Sequence, residues 1–366
     1  MMLRVLPYET PLDDLLVHCS HLGASRIQIQ TDQPVEIRLH GKNLTLTDDI
    51  WSSHRVRDAL FHIYGDSTAD IVLTQADAID LSHTIWPNRK ARRHSFRINA
   101  VAATIGPERG INMTIRPLAD IPRKLEEQNI EPRLKDALEG DNGGYLICGA
   151  TGSGKTTLMG GINRDRLENP DCHCNIVEGS APLELLYDLV KRQNATISQS
   201  EIPKQLQTFP DFIRAAMRQE PTDIVVGECR DPQTVEAAIQ AMISGHRLMS
   251  SIHTFDPPST LRRVEALCPS DQRDSLIIAF VENLKLIVNQ RLLPSTDGKR
   301  TPIREFLPVT RTLRNRLLDT PREQWPAITR EAVNTQGQTY LQSIAQALTE
   351  KRITEDVARK ARDAEF

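Results

Sequence analysis

The chain has 366 residues, of which 39% are hydrophobic and 25% charged, and its formal net charge is −3. That length suggests about two domains with a sizeable core. Near-neutral charge with only 4% aromatic residues argues against a basic, base-stacking nucleic-acid platform.

Residues 11–122 read as one α/β unit. Leu12, Leu15, Leu16 and Cys19 form a helical stripe that Gly23-Ala24-Ser25 breaks. Ile27-Gln28-Ile29 and Val35–Leu39 alternate like half-buried strands, and His40-Gly41-Lys42 reads as a turn. Val56–Tyr64 returns to helical spacing, and Ser95–Ala100 and Ile111–Ile115 are further strand candidates. Arg89, Lys90, Arg92, Arg93 and Arg97 make a basic run, read as a solvated loop. Arg97 alone is open to a second reading, as part of an anion-facing edge. Pro117–Pro122 closes the unit, and Arg123–Glu139 reads as a hinge with a helix.

The central signal is Gly149-Ala150-Thr151-Gly152-Ser153-Gly154-Lys155-Thr156, which fits G-x-x-x-x-G-K-[ST]. The apolar run Gly144–Cys148 precedes it as a short buried strand, and Thr157-Leu158-Met159 opens a helix. Three glycines let the backbone turn its N–H groups, with the helix N-terminus, toward a polyphosphate. Lys155 supplies a cation for the outer phosphates, and the Thr156 hydroxyl is a ligand for Mg2+. ATP with Mg2+ is the expected ligand pair.

Beyond the loop, strands and helices alternate as in a parallel sheet with crossover helices. Asn175–Glu178, Asp223–Glu228 and Arg247–His253 read as strands, and Phe209–Arg218 and Pro232–Gly245 as helices. Glu228 and His253 then fall beyond carboxyl ends of strands, where open parallel sheets bind ligands. Glu228 can orient a water or reach the metal, and His253 can donate to a terminal phosphate. From Arg311 onward the chain reads as exposed capping helices, with a loop over Asn334–Thr339 and a helical stripe of Tyr340, Leu341, Ile344 and Leu348.

The six cysteines are dispersed. Cys172-His173-Cys174 cannot close a four-ligand zinc site alone, so structural thiols are expected. The N-terminus lacks a signal-peptide apolar core, and Leu276–Val281 is too short to span a bilayer. Cytoplasmic residence is the default expectation.

Four motifs in order resemble the secretion-ATPase superfamily of PilT-type retraction motors and GspE-type secretion motors. Phe212–Pro221 leads into Ile224–Asp231, similar to that family's L-R-x-x-L-R stretch and Walker B. Ser244–Thr254 resembles its His box, and Gln290-Arg291-Leu292-Leu293-Pro294 its Q-R-L segment, taken as the end of the shared core. Gly23-Ala24-Ser25-Arg26-Ile27-Gln28 resembles the G-A-S-D-[IL]-H of its PAS-like domain, with two polar positions changed. Ser198–Pro203 resembles the DotB branch, the ATPases of type IVB secretion and conjugative plasmid transfer.

The resemblance implies a PAS-like domain (1–122), a hinge (123–140), a RecA-like P-loop core (141–310) and a C-terminal helical tail (311–366). It implies a homo-hexameric, ATP-hydrolysing motor at the inner membrane, attached through membrane partners and without direct nucleic-acid binding. Phosphates would be met by Gly149–Thr157 and by Arg109 and Arg116, the metal by Thr156 and Glu228, and catalysis would involve Glu228 and His253. The family's catalytic glutamate stands two positions before a proline. Here that position, before Pro182, is Ser180; either the loop shifts so that Glu178, the nearest upstream acid, serves as the catalytic glutamate, or this role is weakened. A pilus-retraction role and a RecA-like nucleic-acid motor are the alternatives. A GTP switch is disfavoured because no asparagine is followed by Lys-x-Asp.

Overall fold

The structure is a computed structural model that describes Pro7 and residues 10–39, 41–87, 93–105, 108–119 and 121–364. Arg89, Lys90, Arg92 and His40 lie outside the described residues. The chain divides into two compact units, Met1–Asp120 with Ala181–Leu186, and Ile121–Ser180 with Tyr187–Phe366.

The first unit runs α1 (Leu12–Leu22), β1 (Arg26–Gln30), β2 (Glu36–Leu39), β3 (Lys42–Thr45), α2 (Ser53–Tyr64), α3 (Ala69–Thr74), β4 (Ile79–Ile85), β5 (His94–Ile105) and β6 (Glu108–Pro117). Gly23 ends α1 in the left-handed region at φ 76°, the conformation a helix C-terminus favours and glycine adopts without cost. The strands form one antiparallel sheet in the order β3-β2-β1-β6-β5-β4. Period-two alternation sorts the sheet into two faces. Ile27, Ile37, Phe96, Ile98, Met113 and Ile115 are buried with Leu15, Leu16, Val56 and Leu60 of the helices. The other face is polar, with Gln28 Nε2 donating to Asn112 Oδ1 at 3.3 Å.

Two arginines of the basic run behave differently from the solvated-loop expectation. Arg93 is buried, lies over the Trp86 ring and donates to Leu186 O at 3.3 Å. Arg97 grips Asp80 with two nitrogens and Glu184 with a third, at 2.7–3.3 Å, so although partly exposed it is tied to carboxylates and is not an open anion site. The Asp80 hydrogen bonds raise its pKa further.

The second unit runs α4 (Pro132–Ala137), β7 (Gly143–Cys148), α5 (Lys155–Glu168), β8 (Asn175–Ser180), β9 (Thr196–Glu201), α6 (Phe209–Ala216), β10 (Asp223–Val226), α7 (Pro232–Ile243), β11 (Arg247–Ile252), α8 (Pro257–Leu267), α9 (Arg273–Asn283), β12 (Leu284–Pro294), β13 (Arg300–Pro308), α10 (Arg311–Leu318), α11 (Trp325–Gln336), α12 (Tyr340–Thr349) and α13 (Glu355–Asp363). Seven strands pair in the order β13-β12-β7-β11-β10-β8-β9, parallel except for β12 with β13. Such a sheet is buried on both faces, and β7, β10 and β11 are buried at every position. Leu146 and Cys148 face a core shared with α6–α9, while Tyr145 and Ile147 face one shared with α5. At the amino end, Asp223 is held by Arg247 at 2.9 Å and Arg166 at 3.1 Å, both ends of the Asp223–Arg247 pair being buried.

The helices after Arg311 are not exposed caps. Leu313, Leu317, Trp325, Ile328, Ala332 and Val333 belong to the main core. Tyr340, Ile344, Ala347, Ile353 and Ala358 pack with Ile303 in a second cluster. Asn334–Gln336, expected in a loop, completes α11. No helix among the described residues is long and apolar enough to cross a membrane.

Trp325 tests the tail's place in the core, because it is 5% exposed and its indole donates to Leu317 O at 2.7 Å. Trp325→Ala should destabilise the second unit by about 3–5 kcal/mol, read as a lower denaturant midpoint. An unchanged midpoint would contradict this placement.

Candidate active site

Four parallel strands bring the sequence-predicted groups of the second unit to one sheet edge. β7 pairs with β11 as far as Cys148↔Ile252, β11 with β10 through Val226↔Ser250, and β10 with β8 through Val226↔Gly179. Backbone bonds carry the ladder past the strands. Gly149 N donates to Ile252 O at 3.4 Å, Cys229 N to Ser251 O at 3.0 Å, and Gly227 N to Gly179 O at 2.8 Å. The phosphate loop, Glu228, His253 and Ser180 therefore leave the sheet side by side.

The loop requires glycine where it bends. Gly149, Gly152 and Gly154 have φ of 144°, 78° and 87°, values that side chains resist. A Cβ on Gly149 would stand 2.5 Å from Gln290 O and from Ser153 Oγ. Ala150, Thr151 and Gly152 form an exposed tip, whereas Ser153 is buried. Lys155, 9% exposed, opens α5 and donates to Gly149 O at 2.9 Å and Ala150 O at 3.0 Å, folding its ammonium back across the loop. Thr156 and Thr157 follow it, exposed, in the first turn.

The residues present fit a polyphosphate. The N-cap Gly154 gives α5 no side-chain cap, so the first-turn N–H groups point out of the helix with its positive dipole end. Ser153 Oγ is buried with no hydrogen-bond partner, a polar group whose burial is costly until something accepts from it. A cationic Lys155 beside these donors completes an anion-binding surface.

The loop is braced from beneath by residues whose role the sequence analysis missed. Gln290 on β12 is 2% exposed, and its Nε2 donates to Ser153 O at 2.8 Å. Its Oε1 accepts from Arg304 Nε on β13, also at 2.8 Å. Arg304 is fully buried and spends its other nitrogens on Gln128 O, Asn129 O and Glu131, at 2.8–2.9 Å. Gln128 Nε2 in turn donates to Thr157 O at 3.0 Å. The network runs from the phosphate loop through two strands and back to the first turn of α5. The Q-R-L string marked Gln290 as a motif position, but nothing in the sequence marked Arg304.

Glu228 and His253 do meet. Their Oε1 and Nε2 are 3.2 Å apart and both side chains are partly exposed at the edge, so the pair is open to substrate. Glu178 is placed differently, inside β8 and 8% exposed. It shares a face of the sheet with Ile176 and, through the register, Val225. Ser180 Oγ donates to its Oε1 and Gln199 Nε2 to its Oε2, each at 3.1 Å. Burial pushes the Glu178 carboxyl up to about 7, although both hydrogen bonds pull it down. Ser180, standing where the resemblance implies a glutamate, thus donates to the acid two residues upstream.

Arg109 and Arg116 lie on β6 of the first unit, both exposed. Arg109 donates to Leu73 O, and Arg116 is cross-strand to Arg97. The six cysteines are free. Burial pushes the Cys174 thiol up to about 12, with Cys172 adding to the rise.

Arg304→Met leaves Glu131 buried without its cation and should cost about 3–5 kcal/mol of stability. Gln290→Ala keeps the fold but frees the Ser153 carbonyl, and should weaken nucleotide binding about tenfold. Calorimetric titration decides, and unchanged affinity would refute the bracing role. Glu178 makes a pH prediction. Between the ordinary carboxyl range and about 7 the native chain holds a proton that the unfolded chain has released. Stability therefore falls as pH rises through that window and levels off above it. Glu178→Gln should abolish this slope and gain on the order of 3 kcal/mol relative to wild type at pH 8, measured by denaturation at pH 5 and pH 8.

Comparison with known proteins agrees with this geometry. The profile of the family described as "Type II/IV secretion system protein" matches residues 91–364. The match includes the helices after Arg311, so the shared core does not end at Pro294. The X-ray structure of the Legionella pneumophila ATPase DotB superposes with a TM-score of 0.90 and 31% identity, over 99% of this chain and 98% of that one. The type IV pilus retraction ATPase PilT of Pseudomonas aeruginosa is 25% identical over 92% of each chain. A PilT structure with bound ADP shares the fold, at TM-score 0.78 and 24% identity over 96% of this chain and 97% of that one. With its N-terminal α/β domain and P-loop domain on a mostly parallel sheet, the chain belongs to the type II/IV secretion system protein family, on the PilT/GspE side and DotB-like.

Proposed function

We propose that this protein is an ATP-hydrolysing hexameric motor that powers a type IV secretion or conjugation apparatus, in the manner of the DotB branch. The observation that carries this reading is the complete phosphate loop, braced by Gln290 and Arg304, within a chain that matches DotB along nearly its whole length.

In this reading the α5 N-terminus, the loop amides and Lys155 bind the phosphates, and Ser153 Oγ donates to them. Thr156 and Glu228 would hold Mg2+, which when bound neutralises phosphate charge. Glu228, steadied by His253, orients the attacking water. Glu178 has a carboxyl whose pKa of about 7 suits accepting a proton at neutral pH, and we assign it the role that Ser180 cannot fill. Arg109 and Arg116 carry the phosphate-binding role implied for them by the resemblance. The motor works at the cytoplasmic face of the inner membrane through membrane-bound partners, and hydrolysis is not driven by nucleic acid.

A second reading, retraction of a type IV pilus, is favoured by the match to PilT over 92% of the chain. The two part in the native host. Loss of secretion or plasmid transfer on deletion supports the first, and loss of pilus retraction the second.

Purified protein should hydrolyse ATP, with a rate indifferent to added single-stranded DNA, and sediment as a hexamer with nucleotide. Lys155→Ala should abolish binding and turnover together. Glu228→Gln and Glu178→Gln should keep binding while turnover drops by about 100-fold or more. Full turnover in Lys155→Ala would overturn the motor reading, and full turnover in Glu178→Gln would remove Glu178 from the chemistry.

A further inference from the structure

The first unit carries a cluster that the motor reading does not use. Asp13 in the first turn of α1, His62 near the end of α2 and His83 within β4 turn their polar atoms onto one point. His62 Nε2 lies 3.0 Å from Asp13 Oδ1, and His83 Nε2 lies 3.2 Å from the same oxygen. All three ligand atoms fall within 4.8 Å of one another, the one such group of three among the described residues. The two imidazole rings stand edge to face with centroids 5.6 Å apart.

We propose that Asp13, His62 and His83 form a binding site for a divalent transition-metal ion of the zinc class. In a tetrahedral zinc site, ligands at about 2.0–2.1 Å from the ion are about 3.3 Å from each other. The two Asp13–histidine separations, at 3.0 and 3.2 Å, are close to two edges of that figure, and the third pair of ligand atoms lies within 4.8 Å. The donor set is two imidazoles and a carboxylate, which suits zinc, nickel or copper and is poor for magnesium or calcium. Both histidines present Nε2 to the carboxylate, the atoms that would turn their lone pairs to an ion.

The elements are already locked together, so little ordering is needed. Leu15 and Leu16 of α1, Val56, Leu60 and Ile63 of α2, and Ile79 and Ile85 of β4 share one core. Access is also provided. His62 is 54% exposed and Asp13 38%, while His83 is 15% exposed and anchors the site from the strand. Three protein ligands leave the fourth position to water. The ion would tie the edge strand β4 to both helices, adding to the His83–Asp13 contact with α1 and the His62–His83 ring contact with α2. The site is built from residues 49 and 21 positions apart along the chain, so no spacing motif announces it.

The test uses full-length, nucleotide-free protein stripped with a chelator and titrated with Co2+, followed by visible absorption and then by competition with Zn2+. One saturable site per chain is expected, with nitrogen-oxygen coordination bands and no sulfur-to-cobalt charge transfer. Zn2+ should displace the Co2+ and raise the melting temperature of the first unit. His62→Gln and His83→Gln should each weaken binding by about 100-fold or more, while Cys172→Ser combined with Cys174→Ser leaves it unchanged. If a histidine variant misfolds by circular dichroism, Asp13→Asn, which keeps the side chain's shape, carries the comparison. No saturable Co2+ binding in the wild type, equal binding in the ligand variants, or binding lost with the cysteines would each overturn the proposal.

Discussion

The register of five parallel strands fixes where everything chemical in the second unit can stand. β12, β7, β11, β10 and β8 are held by main-chain hydrogen bonds; β7, β10 and β11 are buried throughout, and β8 and β12 where they pair with β10 and β7. A slip of one residue in any of them would turn its inward set outward, at the cost of a core face. The sheet therefore has one permitted alignment, and that alignment sets Gly149, Glu228, His253 and Ser180 along a common edge. The apolar cores on the two faces and the buried Asp223–Arg247 pair at the opposite end serve this alignment.

A phosphate loop is usually discussed through its lysine, but this one is also shaped from below. Arg304 joins four partners with no exposure to solvent, and such a cation is tolerable only with its hydrogen bonds satisfied and a carboxylate close by. Its geometry passes to Gln290 and thence to the Ser153 carbonyl. The glycine-rich turn thus rests on a buried polar network whose members support one another.

Much of this was legible in the sequence, for definite reasons. The loop could be read because its chemistry dictates residue types at fixed spacing. Glu228 and His253 could be placed because an apolar run ending in a polar residue marks a strand's carboxyl end. Glu178 was visible as an acid, but its burial beside Ser180 and Gln199 depends on strand order, which the sequence does not print. β9 escaped because it is polar and only half-buried, and β13 because Arg304 and Glu305 look like surface charges. The helices after Arg311 were misjudged for the same reason: Trp325 and Val333 sit among charged neighbours, and what they cover is far away in sequence. Gln290 was legible as a motif letter and not as a strut.

One consequence concerns the smallest piece of this protein that could stand alone. Glu305 on β13 is 3% exposed, and burial raises its pKa. Both its oxygens accept from Arg330 Nη1, at 3.0 and 2.9 Å, while the other arm of Arg330 reaches Asp256 at the head of α8. A fragment cut at the end of β13 would keep the entire phosphate loop and every strand, yet strand Glu305 without its counter-ion and bare the apolar seat of α11. The unit that carries the phosphate loop accordingly extends well past the last strand, and its C-terminal boundary is set by charge neutralisation and the seat of α11 rather than by the sheet.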